Sequence, residues 1–147
     1  MLAAIHMRLP LSLFKSMKHI NPYLFVYGTL LNSDNSYGAY LQQHCTLLQQ
    51  GKFKGQLYNA GEYPGAVIDT NIDQYVHGSI YLMDEPAKVL EFIDDYEGFG
   101  DDQEQPNLFL RVLTIIETID SPVECWVYVY NLPVDGLLWI RLGKYIK

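Results

Sequence analysis

The chain has 147 residues, enough for one domain around one buried core. Hydrophobic residues make up 49% and charged residues 18%, which reads as globular rather than disordered, and no apolar run reaches the roughly 18 residues needed to span a bilayer. The net charge of −7 argues against nucleic acid as a partner, because phosphate binding needs a basic face.

In chain order, Met1 to Ile20 reads as an N-terminal extension, with residues 21–147 as the domain. The short apolar patch Leu9-Pro10-Leu11-Ser12-Leu13-Phe14 lacks the long apolar region and small-residue cleavage site of a signal peptide, and Met17 is an alternative start. Tyr23 to Tyr27, aromatic and β-branched, predicts a buried strand that stops at Gly28. Cap-type residues at Asn32 to Asn35 introduce a helix. Its face is Tyr37, Tyr40, Leu41, His44, Cys45 and Leu48, and Gly51 ends it. Short strands follow at Phe53–Tyr58, Ala66–Asp69 and Tyr75–Met83. Asp84 reads as the N-cap of a second helix, with Val89, Leu90, Ile93 and Tyr96 as its inward stripe and Gly98 as its stop. After a polar loop from Phe99 to Asn107, strands are predicted at Phe109–Glu117 and Glu124–Tyr130, and a last short one within Leu137–Ile146. About seven strands and two helices in mixed order favour an α+β fold with a curled or closed sheet, a small mixed β-barrel with the helices packed on it.

Two stretches could carry chemistry. Phe25 to Leu31 is a strand running into a glycine turn before a helix, where consecutive backbone N–H groups converge and can hold a carboxylate. An ordinary tight turn has the same sequence character. Asp94-Asp95-Tyr96-Glu97-Gly98 ends a helix. There the dipole disfavours a carboxylate by about 0.3–1 kcal/mol, and burial among aromatics would raise its basicity further. A solvated acidic helix end is the bland alternative. Asp94, Asp95, Glu97, Asp101, Asp102 and Glu104 do not match a calcium loop.

The four histidines form no HxxxH pair, and no G-x-S-x-G elbow supports a serine triad. Cys45 and Cys125 have no zinc spacing and read as buried free thiols, with a disulfide as the alternative. Tyr63, Tyr81, Tyr128 and Tyr130 could line a pocket or simply pack the core.

Taken in order, Leu24-Phe25-Val26-Tyr27-Gly28-Thr29-Leu30 and Ile93-Asp94-Asp95-Tyr96-Glu97-Gly98 resemble the γ-glutamylcyclotransferase-like family, in its AIG2-like, γ-glutamylamine branch. The likeness extends through Glu62–Val67, Val76–Tyr81 and Glu124–Tyr130 and covers roughly residues 22–146. It implies a small mixed barrel and cyclisation of a γ-glutamyl amine or amino acid to 5-oxoproline. It also implies Glu97 as general acid/base, and Tyr27, Gly28, Thr29 and Leu30 as the substrate turn. No metal and no cofactor is expected. Neither is a nucleic-acid or membrane partner; the small-molecule substrate is the partner, and the protein is a cytoplasmic monomer or weak homodimer. Two departures stand out: Phe109-Leu110-Arg111 where relatives carry Tyr-x-Arg, and Leu142-Gly143-Lys144 where they often carry Ser-Gly-Asp. The leaving amine stays open, and a non-catalytic module for small carboxylates is the alternative.

Overall fold

A computed structural model describes residues 20–28 and 36–146. The N-terminal extension up to His19, the cap residues Asn32–Asn35, and Thr29 and Leu30 of the expected substrate turn lie outside the described residues. The elements are β1 (Tyr23–Val26), α1 (Ser36–His44), β2 (Cys45–Asn59), β3 (Pro64–Ile68), β4 (Tyr75–Met83), α2 (Pro86–Glu97), β5 (Phe109–Ile116), β6 (Val123–Tyr130) and β7 (Leu138–Ile140). The architecture is α+β, as expected. No helix among the described residues is long and apolar enough to cross a membrane.

The strands form one sheet in the order β3-β2-β4-β1-β6-β5, with β7 paired to β2. β1 runs antiparallel to β4 and parallel to β6. The sheet curls until its far end meets β2. There Lys52 and Glu117 exchange backbone hydrogen bonds, N to O, of 3.0 and 2.8 Å.

Alternation along each strand builds two cores, one on each face of the sheet. Leu24 and Val26 of β1 point toward the helices, where they meet Leu41 of α1 and Val89, Leu90 and Ile93 of α2. Phe25, between them, points into the curl and joins Phe53, Leu57, Val76, Ile80, Ile116 and Val127. A strand buried on both sides reads as a continuous apolar run, which is why Tyr23–Val26 stands out in the sequence.

The helix expected to run on to Gly51 ends instead at His44, and Cys45 starts a 15-residue strand. Cys45 to Lys54 pair with β4, from Cys45 opposite Met83 to Lys54 opposite Tyr75, with an irregularity between Leu47 and Gln49. Pairing with a full-length neighbour overrides a weak local helical pattern. Gly51 is not a helix stop; it leaves room for the core. A Cβ there would stand 2.5 Å from Ile116 Cγ2 and 3.1 Å from the Glu117 carbonyl.

The second helix matches its expected span, but Asp84 does not cap it. Glu85 holds the cap position without a side-chain bond, and Asp84 pairs with His44 at 2.9 Å. His44 is therefore partnered by a carboxylate rather than buried in the core. Both cysteines are free; Cys125 is buried and Cys45 half-buried.

Gly51→Ala tests the packing of Ile116 onto β2. The added methyl should destabilise by about 1–3 kcal/mol, read from the midpoint of urea unfolding, and should cost less in an Ile116→Ala background, a coupling that a glycine merely ending a helix would not show.

Candidate active site

The end of α2 is fixed by its own backbone. Gly98 takes the left-handed conformation (φ 71°, ψ 36°), its N–H reaching the Asp95 carbonyl, while Phe99 N–H donates to the Asp94 carbonyl at 2.9 Å. This is a Schellman closure, for which glycine has no steric penalty. The buried side chain of Asn107 then clips the following loop. Its Oδ1 accepts from Gly100 N–H at 3.1 Å and its Nδ2 donates to the Gly100 carbonyl at 3.0 Å. Glu97, the last helical residue, is thereby held at one spot with its carboxyl turned to a cavity.

That cavity, about 320 Å³, is enclosed by Tyr27 and Gly28 after β1, Tyr63 and Pro64 at the start of β3, Tyr96 and Glu97, Leu108 and Phe109, and Tyr128 of β6. Glu97 and the described part of the expected turn, Tyr27-Gly28, therefore face the same small space. Among the lining residues Glu97 is the single charged side chain. Burial pushes its carboxyl up to about 7. Sequence reasoning placed weight on the helix dipole as well; desolvation by the aromatic walls is the cause here.

The Tyr27 hydroxyl is already engaged. It donates to the Tyr128 carbonyl and accepts from Ala66 N–H at 3.2 Å, and desolvation raises its pKa. Tyr27 thus positions the turn; its hydroxyl is not spare for a ligand. Gly28 packs against β3, where a Cβ would come 2.9 Å from Pro64 Cγ.

Of the tyrosines that could line a pocket, Tyr63 and Tyr128 do line the cavity, whereas Tyr81 and Tyr130 do not. Phe109 is buried on the cavity wall with its ring 5.9 Å from Tyr63 and 5.6 Å from Tyr130, so the hydroxyl absent there leaves an apolar surface. Gly143 of the second departure lies elsewhere. Its carbonyl accepts from His77 N–H at 2.8 Å and anchors the C-terminal segment to β4.

Asp94, one turn before Glu97, pairs with Arg111 (Nε to Oδ1 2.8 Å, Nη2 to Oδ2 3.2 Å) and accepts the Tyr128 hydroxyl at 2.6 Å. Tyr96 packs on Tyr37 of α1 with ring centroids 4.0 Å apart. Leu108 and Asn107 had no signal in the sequence, because their roles depend on which strands meet; Pro64 lies within the stretch Glu62–Val67 that carries the family resemblance, but its place beside Gly28 was not readable. Among the described residues, His44, Asp84 and Glu85 bring three ligand-type atoms within 4.8 Å of one another. They sit at the opposite end of the 12-residue helix α2 from Glu97 and do not line the cavity.

Residues 24–147 match the family model described as "Gamma-glutamyl cyclotransferase, AIG2-like". The chain belongs to the γ-glutamyl cyclotransferase, AIG2-like family. It is 32% identical over 112 residues to the γ-L-glutamyl-butirosin B γ-glutamyl cyclotransferase of Niallia circulans, covering 75% of this chain and 67% of that one. It is 31% identical over 125 residues to the family protein YtfP of Escherichia coli K12, covering 84% and 95%. The solution structure of E. coli YtfP superposes with a TM-score of 0.61 over 84% of this chain and 96% of that one. An AIG2-like protein from Mus musculus superposes with a TM-score of 0.66 at 25% identity, covering 87% and 90%. These likenesses support cyclotransferase chemistry in general for this family member.

Burial of Glu97 also sets a stability trend. Its folded pKa lies above the unfolded value, so the favourable neutral form is fully present below about 4.5 and is lost as pH rises through about 7. Glu97→Gln should match wild type at pH 4.5 and exceed it by about 1–3 kcal/mol at pH 8, measured by urea unfolding at both pH values.

Proposed function

We propose that this chain cyclises a γ-glutamyl amine or γ-glutamyl amino acid to 5-oxoproline and releases the free amine, with Glu97 as general base and then general acid. The observation that carries the reading is the Glu97 carboxyl, poised near neutrality by burial, opposite the Tyr27-Gly28 turn across a cavity of about 320 Å³.

The chemistry needs a neutral α-amino group, and a free one titrates at about 8 and is mostly protonated at neutral pH. Glu97 as carboxylate takes a proton from the α-ammonium. The freed nitrogen attacks the γ-carbonyl carbon, the new C–N bond closes a five-membered ring, and the bond to the departing nitrogen breaks. Two protons leave the α-nitrogen in all, and both end on the leaving group, which departs as an ammonium. A base with a pKa near the operating pH suits both transfers, and such help is typically worth about 10²–10⁴-fold.

Holding the glutamyl chain folded contributes more to the rate than the proton transfers do. Well-oriented intramolecular reactions reach effective molarities of about 10⁵–10⁸ M. The backbone N–H groups of the turn that begins at Gly28, with Thr29 and Leu30, are assigned to the substrate α-carboxylate. The name of the Niallia circulans relative, a cyclotransferase for a γ-glutamyl group on butirosin B, supports a γ-glutamyl amide as the substrate class.

The test is 5-oxoproline release across a panel of γ-glutamyl amines, γ-glutamyl amino acids and glutathione. Wild type should turn over at least one class. Glu97→Gln should keep the fold and lose turnover by at least about 10²-fold. A flat panel, with binding of the same compounds retained, would favour the small-carboxylate module instead. The pH profile supplies an independent check. Since Glu97 must start as carboxylate, kcat/KM should fall below about pH 7, approaching tenfold per pH unit.

Gly28→Val should raise KM, because the added side chain must displace Pro64 or enter the cavity. An unchanged KM in that variant would count against the turn as the carboxylate site.

A further inference from the structure

Four phenols line the cavity with Glu97: Tyr27 from just after β1, Tyr63 from the approach to β3, Tyr96 from α2 and Tyr128 from β6. All four are neutral. Outside that lining, Asp94 of α2 and Arg111 of β5 form a two-pronged ion pair whose side chains are about one-fifth exposed, at 21% and 20%. Arg111 is held from the other side by the Trp126 ring, 4.4 Å from its guanidinium carbon, and lies 5.6 Å from the Phe99 ring centre. Asp94 and Glu97 are three residues apart on one helix and so share a face. Tyr128 links the two groups: it lines the cavity with Glu97 and gives its one hydroxyl proton to Asp94 at 2.6 Å.

We propose that Asp94 and Arg111 are positioning residues that act on Glu97 as one neutral unit, cancelling each other's field at the cavity and holding the Tyr128 hydroxyl on Asp94 and off the Glu97 carboxylate. This rests on the reading of Glu97 as the acid–base group. The physical reason is that a charge a helical turn away, in a half-buried setting, acts through a far lower dielectric than water. An unpaired arginine there would favour the Glu97 carboxylate; an unpaired aspartate would oppose it. Paired, they leave burial as the cause of the raised carboxyl. The paired geometry also spends the Tyr128 proton. Were that hydroxyl free to turn, it could donate to Glu97 and stabilise the carboxylate, lowering its basicity.

The prediction is a pair of opposite displacements. Asp94→Asn leaves Arg111 unbalanced and should move the acid limb of the kcat/KM profile down by about half to one pH unit. Arg111→Met keeps the stem on Trp126, leaves Asp94 unbalanced, and should move the limb up by a similar amount. The double variant Asp94→Asn/Arg111→Met should return the limb to the wild-type position, and Arg111→Lys, which keeps the charge, should leave it there. Glu91→Gln, the same charge change at an exposed position of α2, should not move it.

The Glu97 carboxyl is titrated in parallel by carbon-13 NMR in each variant, assigned by its loss in Glu97→Gln. This readout separates the two claims. If wild type releases no 5-oxoproline, the acid–base reading fails, while the NMR midpoints still decide the coupling. Midpoints that stay together in all variants, that move the same way in both single variants, or that stay displaced in the double variant would overturn the proposal. So would a displacement in Glu91→Gln as large as that in Asp94→Asn. A variant that loses its fold by circular dichroism is replaced in the comparison by the double variant and Arg111→Lys, whose wild-type midpoints the proposal also requires.

Discussion

One hydroxyl pins the curl of the sheet at its functional end. Tyr27 donates to the Tyr128 carbonyl of β6 and accepts from Ala66 N–H of β3, two strands that lie far apart in the sheet order. At the other end the Lys52–Glu117 backbone exchange does the equivalent work. Between these two closures the sheet must bend, and bending it creates an inside that Phe25, Phe53, Ile80 and Val127 fill. The cavity lies at the rim where β1, β3, β5 and β6 converge on the end of α2, lined by Phe25 of the inner core and by Val26, Leu108, Phe109 and Tyr128 of the helix-side core. Removing the hydroxyl would leave a buried amide and a buried carbonyl short of a partner, each costing about 1–3 kcal/mol.

The two-sided core explains why the catalytic candidate sits on a helix end rather than a strand. α2 lies on the outer face of the sheet, against Leu24, Val26, Phe109 and Tyr128. Its last turn overhangs the rim, and the Schellman closure at Gly98 stops it there. One more turn of helix would carry the chain away from the cavity; one fewer would leave Glu97 in a loop with no fixed direction. The aromatic seam of Tyr37, Tyr40, Phe92 and Tyr96 ties α1 to α2 on the solvent side, with Tyr40 and Phe92 stacked 4.0 Å apart. Positioning therefore comes from packing on both sides of the helix and from its cap, as a group that must move a proton requires.

Much of this was legible in the sequence where a single local signal decides the outcome. Gly98 after an apolar stripe announced the end of α2, and the continuous apolar run of β1 announced a central strand. What failed was the stretch Cys45–Gly51, where helical spacing and strand composition overlap and only the presence of β4 alongside chooses between them. Gly51 misled for a definite reason. A glycine required because Ile116 packs onto it looks the same in sequence as one that ends a helix. In the site, Glu97, the turn and two of the wall tyrosines, Tyr63 and Tyr128, could be named, and Pro64 lies in a stretch of family resemblance. Leu108 and Asn107 enter through tertiary contact alone, and the engagement of the Tyr27 hydroxyl by two backbone groups has no sequence signature.

The same walls that raise Glu97 impose a cost that the fold must absorb. A carboxyl moved from its ordinary range to about 7 disfavours its charged form by an amount comparable with a fifth or more of a typical domain's stability of about 5–15 kcal/mol. A surface glutamate at this helix end would avoid that cost, but its pKa would lie well below neutrality and it would bind a substrate proton weakly. The phenols around Glu97 reconcile the two demands. They exclude water as aromatic surface, yet they carry no charge that would fix the carboxylate in one state. The Asp94–Arg111 pair adds two opposite charges to this neighbourhood, and in the proposal above they offset each other. A cavity walled by neutral rings, with Glu97 as the one carboxyl among its lining residues, is thus a direct physical route to a base that works near pH 7 on a helix end that would otherwise be ordinary.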